Sequence, residues 1–232
     1  MIKVQNLYYK YEDKFILENI NIEVKEGFYT AIIGSNGSGK TTLIKHFNSL
    51  LLPTKGTVTV DGLSTKKDSL EVRKMVGMLF QNPEDQLINS VVEEDIAFGL
   101  ENLNISSKEI ISRVDKILKR LYIGHIAKSN VNMLSAGQKQ LVALAGILVM
   151  KPKYIVFDEP TTLLDPKNKK NILRIINQLN KKDRITIILV TNIIADLRHA
   201  DNIIIISDGK IIFNGKKNKL NKKIIKKAGL DA

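Results

Sequence analysis

Residues 29–42 read Tyr-Thr-Ala-Ile-Ile-Gly-Ser-Asn-Gly-Ser-Gly-Lys-Thr-Thr: an apolar run, a glycine-rich turn, and the opening of a helical pattern. Gly34 through Thr41 keeps the spacing G-x-x-x-x-G-K-[ST] of a phosphate-binding P-loop. Gly34, Gly37 and Gly39 are expected to let the backbone take positive φ and approach an anion closely. Successive amide N–H groups, those of Ser35, Asn36, Ser38 and Thr42 among them, then form a concave nest at the positive end of a helix. Lys40 can reach the β- and γ-phosphates of a nucleotide, and the Thr41 hydroxyl can ligate Mg²⁺. The motif also has the context it demands. Phe28–Ile33 reads as a buried strand, and Leu43, Phe47, Leu50 and Leu51 recur at helical spacing after the loop. The stretch predicts an α/β fold and a nucleoside triphosphate as ligand.

Working outward, the totals set bounds. The 232 residues suffice for one large domain or two compact lobes, with 44% hydrophobic and 26% charged residues. Without cysteine there are no disulfides or cysteine-ligated metals. No stretch approaches the ~18–20 apolar residues of a membrane span, and Met-Ile-Lys-Val-Gln-Asn lacks a signal-peptide core, so a cytoplasmic protein is expected. The net charge of +12 invites a nucleic-acid reading. Yet the lysines are dispersed, and their densest cluster is the tail at 216–232. A solvated helix face, near anionic lipid or not, explains such a tail better than a sequence reader, and no nucleic acid is expected.

In chain order, Ile2–Tyr8 and Ile16–Val24 read as extended runs flanking a Glu12-Asp13 turn. Tyr11, on the connecting loop, can stack on an adenine or pack within the hairpin. Thr57–Val60 with Asp61-Gly62 reads as a strand entering a tight turn. Val76–Phe80 is a further strand, with Gln81 directly at its end, the edge where ligands collect in a parallel sheet. An amide there can ligate Mg²⁺ or orient an attacking water. Residues 90–150 turn helical, a lobe inserted into the α/β core. Ser106-Ser-Lys-Glu109 fits a capping box, and Ile110, Val114, Ile117, Leu118 and Leu121 form an apolar stripe.

Leu134-Ser-Ala-Gly-Gln-Lys-Gln140 opens the next helix. Ser135 suits its N-cap and Gly137 permits close approach, so this start receives an anion or is a simple cap. Tyr154–Phe157 reads as a buried strand ending in Asp158-Glu159. Downstream of a P-loop, Asp158 matches a Walker B carboxylate holding Mg²⁺ through water, and Glu159 is placed as base for a water attacking the γ-phosphate. Asp165-Pro166 opens a helix whose buried face is Ile172, Ile175, Ile176 and Leu179. Ile185–Val190 is a further strand ending in Thr191-Asn192, and Ile203–Phe213 forms a terminal hairpin.

These pieces in this order resemble the ATP-binding subunit of ABC transporters, over about residues 2–215. Phe80-Gln-Asn-Pro-Glu-Asp-Gln86 and Val92-Glu-Glu-Asp-Ile-Ala-Phe-Gly99 resemble in particular the energy-coupling-factor (ECF) ATPases, which power importers of vitamins or of cobalt and nickel ions. The resemblance implies a P-loop NTPase (RecA-like) core with a small antiparallel β subdomain and an inserted α-helical subdomain at about 85–151, in an ATP-binding domain spanning 1–215. It implies ATP and Mg²⁺ as cofactors and a head-to-tail dimer, homo- or heterodimeric, sandwiching two ATPs. Gly34–Thr42 would hold the phosphates from one side, with Ser135, Gly137 and Gln138 of the other subunit capping the γ-phosphate. Tyr11 would stack on adenine. Gln81 would join Thr41 and Asp158 around Mg²⁺, Glu159 would be general base, and Asp165 would reach across the dimer. The partners implied are a second ATPase subunit, a membrane-embedded coupling protein and a substrate-binding membrane subunit, with this chain peripheral on the cytoplasmic face.

Three positions depart from the family pattern. Ala136 stands for a glycine, Leu141 for a common arginine, and Asn192 for the switch histidine. Asparagine is shorter and uncharged, although its amide still donates. Loss of one transition-state donor costs about 10²–10³ in rate, so a subunit slowed in its own hydrolysis is expected. Its alternatives are an impaired partner in a heterodimeric transporter and a soluble ABC ATPase of translation or DNA repair. Against the last, there is one P-loop, and no sustained heptad run lies between Lys40 and Leu134. His46, His125 and His199 are expected to be structural or surface residues.

Overall fold

The computed structural model describes residues 1–230; positions 231–232 at the end of the expected tail lie outside the described residues. The chain opens with β1 (Ile2–Tyr11) and β2 (Lys14–Val24), paired antiparallel across the Glu12-Asp13 turn. β3 (Tyr29–Ile33) leads into α1 (Lys40–Lys45), and β4 (Lys55–Val60) and β5 (Leu63–Ser64) follow. After α2 (Ser69–Met75) and β6 (Val76–Leu79) come α3 (Val92–Glu101), α4 (Ser107–Arg120) and α5 (Ala136–Leu148). The chain then runs through β7 (Tyr154–Asp158), α6 (Pro166–Lys181), β8 (Thr186–Thr191), β9 (Asn202–Ser207), β10 (Lys210–Gly215) and α7 (Lys222–Lys227).

Two sheets result. One is antiparallel, in the order β2-β1-β4-β5; the other runs β10-β9-β3-β8-β7-β6, parallel throughout except for β10. The central strands are unbroken apolar runs because both of their faces are covered. Alternation then sorts the side chains. Ile187, Leu189, Ile155 and Phe157 join the cluster formed by α3–α6. Ile188, Val190, Tyr154 and Val156 join the cluster beneath α1 and the antiparallel sheet. Held between two such layers, the parallel strands bring all of their C-terminal ends to one edge.

Several local expectations change. Tyr11 is the last residue of β1, paired with Lys14, rather than a loop residue. Helix α1 stops at Lys45, because Ser49 adopts φ 61° and the amides of Leu50 and Leu51 both fold back to the Lys45 carbonyl. Leu43 and Phe47 are buried as expected, but Leu50 is 45% exposed. Ser106 is the N-cap of α4, but its side chain makes no capping bond. Neither β5 nor α2 has a signal in the sequence reading. The tail is more than a solvated face: Ala228 packs with Ala31, Ile33, Ile203 and Ile205, with Ile224 against the same cluster. His46 is fully buried, with Nδ1 at 2.8 Å from the Thr42 carbonyl. His125 and His199 are exposed.

Candidate nucleotide site

The P-loop leaves the end of β3 and turns into α1 through Gly37 (φ 77°) and Gly39 (φ 102°). Gly34, contrary to expectation, does not take positive φ; glycine is needed there because the loop is pressed against β9, where a Cβ would stand 2.2 Å from the Ile206 carbonyl oxygen. The Lys40 side chain is 5% exposed and folds back over the loop. Its Nζ donates to the carbonyls of Gly34 (2.9 Å) and Ser35 (3.0 Å) and lies 3.6 Å from Glu159 Oε1. The ammonium is thus held at the mouth of the nest, where phosphate oxygens would exchange with those acceptors.

Three other strand ends deliver the remaining groups. At the end of β7, Asp158 accepts from the Thr41 hydroxyl, at 3.1 Å to Oδ1 and 2.9 Å to Oδ2. Burial pushes the Asp158 carboxyl up from its ordinary range, against the opposing pull of the Thr41 hydrogen bond, while neighbouring Glu159 pushes it up further. A cation would relieve that cost. Glu159 adopts φ 46°, its amide bonded to the Val190 carbonyl of β8 at 3.0 Å, and it accepts from Thr162 Oγ1 at 3.3 Å. A non-glycine residue in this region is uncommon and is held there by its surroundings. Gln81 follows β6, and Asn192 follows β8 with its Nδ2 donating to Asn36 Oδ1 at 3.5 Å.

A cleft of about 300 Å³ is lined by Gly37, Gly39, Lys40, Thr41, Thr42, Asn36, Gln81, Glu159 and Ile16. Beside it, Thr41, Gln81 and Asp158 line a second recess of about 710 Å³. Among the described residues no group of three or more His, Cys, Asp or Glu could hold a metal by itself. The Thr41 hydroxyl, Asp158 carboxylate and Gln81 amide nevertheless fit Mg²⁺, a hard cation that takes one or two protein oxygens and completes its shell from phosphates and water.

The remaining sequence candidates lie elsewhere. Tyr11 is 66% exposed, its ring edge-on to Tyr9 at 6.1 Å, and it does not line the cleft. Ser135 and Gln138 form the capping box of α5, Ser135 Oγ accepting from the Gln138 amide and Gln138 Oε1 from the Ser135 amide. With Gly137 they stand outside the cleft of their own chain. Ala136 opens α5 without positive φ, so its methyl carries no backbone cost, and Leu141 is a buried core residue. Asp165 caps α6, accepting from the amides of Lys167 and Asn168. Sequence reasoning missed Ile16, placed under the P-loop by the register of β2, and Asp196, a buried carboxylate beneath β8 with no motif around it.

The family model described as "ABC transporter" matches residues 17–162, from the hairpin through the acids after β7. The chain belongs to the ABC transporter family. It is an ABC-type ATPase that binds ATP. Among relatives of this ABC ATPase, the energy-coupling factor transporter ATP-binding protein EcfA1 of Clostridium novyi is 45% identical over 240 residues, covering 100% of this chain and 86% of that protein. CbiO1 of Clostridium perfringens, described as part of the ABC transporter complex CbiONQ, superposes with a TM-score of 0.85 at 37% identity, covering 97% of this chain and 93% of that one. A dimeric ATP-binding cassette in a post-hydrolysis state with ADP and Pi superposes at 0.83 and 32% identity, covering 93% and 98%. The resemblance to ECF-type ATPases and the P-loop NTPase fold are borne out. Among the described residues, no helix is long and apolar enough to cross a membrane.

Proposed function

We propose that the chain is the ATP-hydrolysing subunit of an ECF-type importer, acting as a peripheral dimer on the cytoplasmic face of a membrane-embedded coupling protein and a substrate-binding subunit. The observation that carries this reading is the division of the site. Lys40, Thr41, Gln81, Asp158, Glu159 and Asn192 gather at one sheet edge, whereas Ser135, Gly137 and Gln138 stand outside that cleft. The capping half of each site would then come from another subunit, and the similar chain solved as a dimer with ADP and Pi supports this arrangement. Residues 1–215 would form the ATP-binding domain, with the helical part at about 85–151.

In the closed dimer the P-loop amides and Lys40 bind and orient the phosphates, and Tyr11 offers its exposed face to adenine. Thr41, Gln81 and Asp158 would hold Mg²⁺, which supplies charge neutralisation between the phosphates. Glu159 takes a proton from the attacking water as its oxygen bonds to the γ-phosphorus and the bond to the β–γ bridging oxygen breaks. That oxygen leaves with ADP and phosphate is freed, while Asn192 donates toward the γ-phosphate oxygens. A γ-phosphate gripped from both sides closes the dimer, and its hydrolysis releases it.

Mg-ATP turnover measured against protein concentration, for the native chain, Asn192→His and the inactive control Glu159→Gln, tests the reading. Turnover above the control and rising steeply with concentration supports a dimeric ATPase. A further tenfold or greater gain in Asn192→His identifies asparagine as the slow element. Activity independent of concentration refutes the shared site. The second reading, an impaired member of a heterodimer, draws on the engagement of the Asn192 amide with Asn36. It requires background rates from the native chain that histidine restores.

A further inference from the structure

The first turn of α6 touches both halves of the machinery within one subunit. Asn168 lies against Gly137: a Cβ on that glycine would meet the Asn168 Cγ at 2.7 Å and Nδ2 at 2.8 Å, so any larger residue there would have to displace the Asn168 side chain. The Asn168 amide is fixed in turn by Asp165, whose carboxylate accepts from both its backbone and its side chain. The next residue faces another way. Lys169 Nζ lies 3.1 Å from Asp196 Oδ1, and the Asp196 carboxylate is 2% exposed. Its other oxygen accepts from Thr161 Oγ1 and Thr191 Oγ1, both at 3.3 Å. Thr161 stands two residues after Glu159, and Thr191 immediately precedes Asn192. Thr191 Oγ1 also accepts from the Ile193 amide at 3.0 Å, so the turn carrying Asn192 hangs from the same carboxylate. A buried carboxylate needs every one of these partners.

We propose that Asn168 and Lys169 are positioning residues that link the Gly137 end of α5 to the turns carrying Glu159 and Asn192. The inference rests on the dimeric reading above. There, Gly137 meets the nucleotide of one site while Glu159 and Asn192 act on the other. The chain Gly137–Asn168–Lys169–Asp196–Thr161/Thr191 then makes hydrolytic geometry at one site depend on engagement of the other. Its parts are the backbone of the first turn of α6 and a buried carboxylate whose hydrogen-bond partners lie on both catalytic turns, so a shift at the helix start is passed to those turns.

The test compares the native chain, Asn168→Ala, Lys169→Met, the double variant and Lys169→Arg in steady-state turnover. Binding of a fluorescent ATP analogue is measured alongside, with Lys40→Ala as the non-binding control. Each single variant is expected to lose about tenfold in kcat with analogue affinity within about twofold. The double variant should lose no more than the worse single, because both residues serve one path, and Lys169→Arg, which keeps the cation, should restore most of the rate. Losses that multiply to about a hundredfold, losses in affinity rather than kcat, or no rescue by arginine overturn the proposal. A native chain that does not bind the analogue sinks the ATPase reading itself. One that binds it but turns over in no variant overturns the hydrolysing reading and the link with it, whereas multiplying losses in a chain that does turn over overturn the link alone.

Discussion

Gly34→Ala isolates the closure of the P-loop on the sheet. The new Cβ would lie 2.2 Å from the Ile206 carbonyl oxygen and 2.7 Å from Ser38 Oγ, where real side chains stay beyond 3.0 Å. Loop and strand must therefore part by about 0.8 Å, and the obstructing atom is backbone in a covered sheet, which gives less readily than a side-chain end. Overpacking of this kind costs about 1–3 kcal/mol, and a backbone obstruction places it near 3. For a chain of this size that is a fall of about 6–12 °C in Tm. Gly37→Ala is the internal comparison. Its Cβ would meet nothing within 4 Å, so only the φ of 77° resists, costing about 1 kcal/mol or about 2–4 °C. Differential scanning calorimetry of the nucleotide-free proteins reads the difference. If Gly34→Ala melts within about 2 °C of the native chain, or below Gly37→Ala in cost, the contact with β9 does not hold the loop and the reasoning fails.

Other expectations are simpler to read. Burial raises the Asp158 carboxyl, so the folded state binds its proton more readily than the unfolded state, and the ionised group costs stability above that window. Asp158→Asn should therefore raise Tm at pH 7 while abolishing turnover, and the gain should fade as pH drops below ~3.9, where both states become protonated. Asp61 behaves oppositely. Burial pushes its carboxyl up, but hydrogen bonds from Lys153, the Met1 amine and the Tyr154 hydroxyl outweigh this and hold it near about 2. Its contribution is present above the unfolded value of ~3.9 and is lost as pH falls toward 2. Asp61→Asn should cost about 1–2 kcal/mol in urea titrations at pH 7 and much less near pH 2, where about half of the folded-state carboxylates are protonated; an equal cost at both would refute the linkage. Tyr11→Ala should raise KM for ATP about tenfold with kcat unchanged, because base stacking is worth about 1–3 kcal/mol; a loss of Tm instead would assign the ring to hairpin packing.

Much of the site is legible in the chain because its parts are local. A glycine spacing that builds an anion nest, an acid pair closing an apolar run, Ser135 at a helix start and Asp165 before a proline each need only their neighbours. All four take the expected local form. What surrounds them depends on distant partners. The end of α1 at Lys45 is set by carbonyl capping at Ser49, which the apolar spacing of Leu50 and Leu51 does not reveal. The packing of Ala228 against β3 and β9 is invisible in a run of lysines, because burial follows from which surface lies beneath it.

The linear chain by itself determined the glycine spacing of the phosphate cradle, the order of the longer strands and helices with β5 and α2 excepted, and the residues that can carry charge to a nucleotide, since each is written in spacing of a few positions. Only the tertiary structure decided that β3, β8, β7 and β6 lie side by side and so deliver Lys40, Asn192, Glu159 and Gln81 to one edge. It alone placed Gly137 outside that edge but against Asn168, and hid Asp196 beneath the turn that carries Asn192. The reason is physical. Strand order and the pairing of buried groups come from covering both faces of a sheet, and that covering sums contacts between residues far apart in the chain.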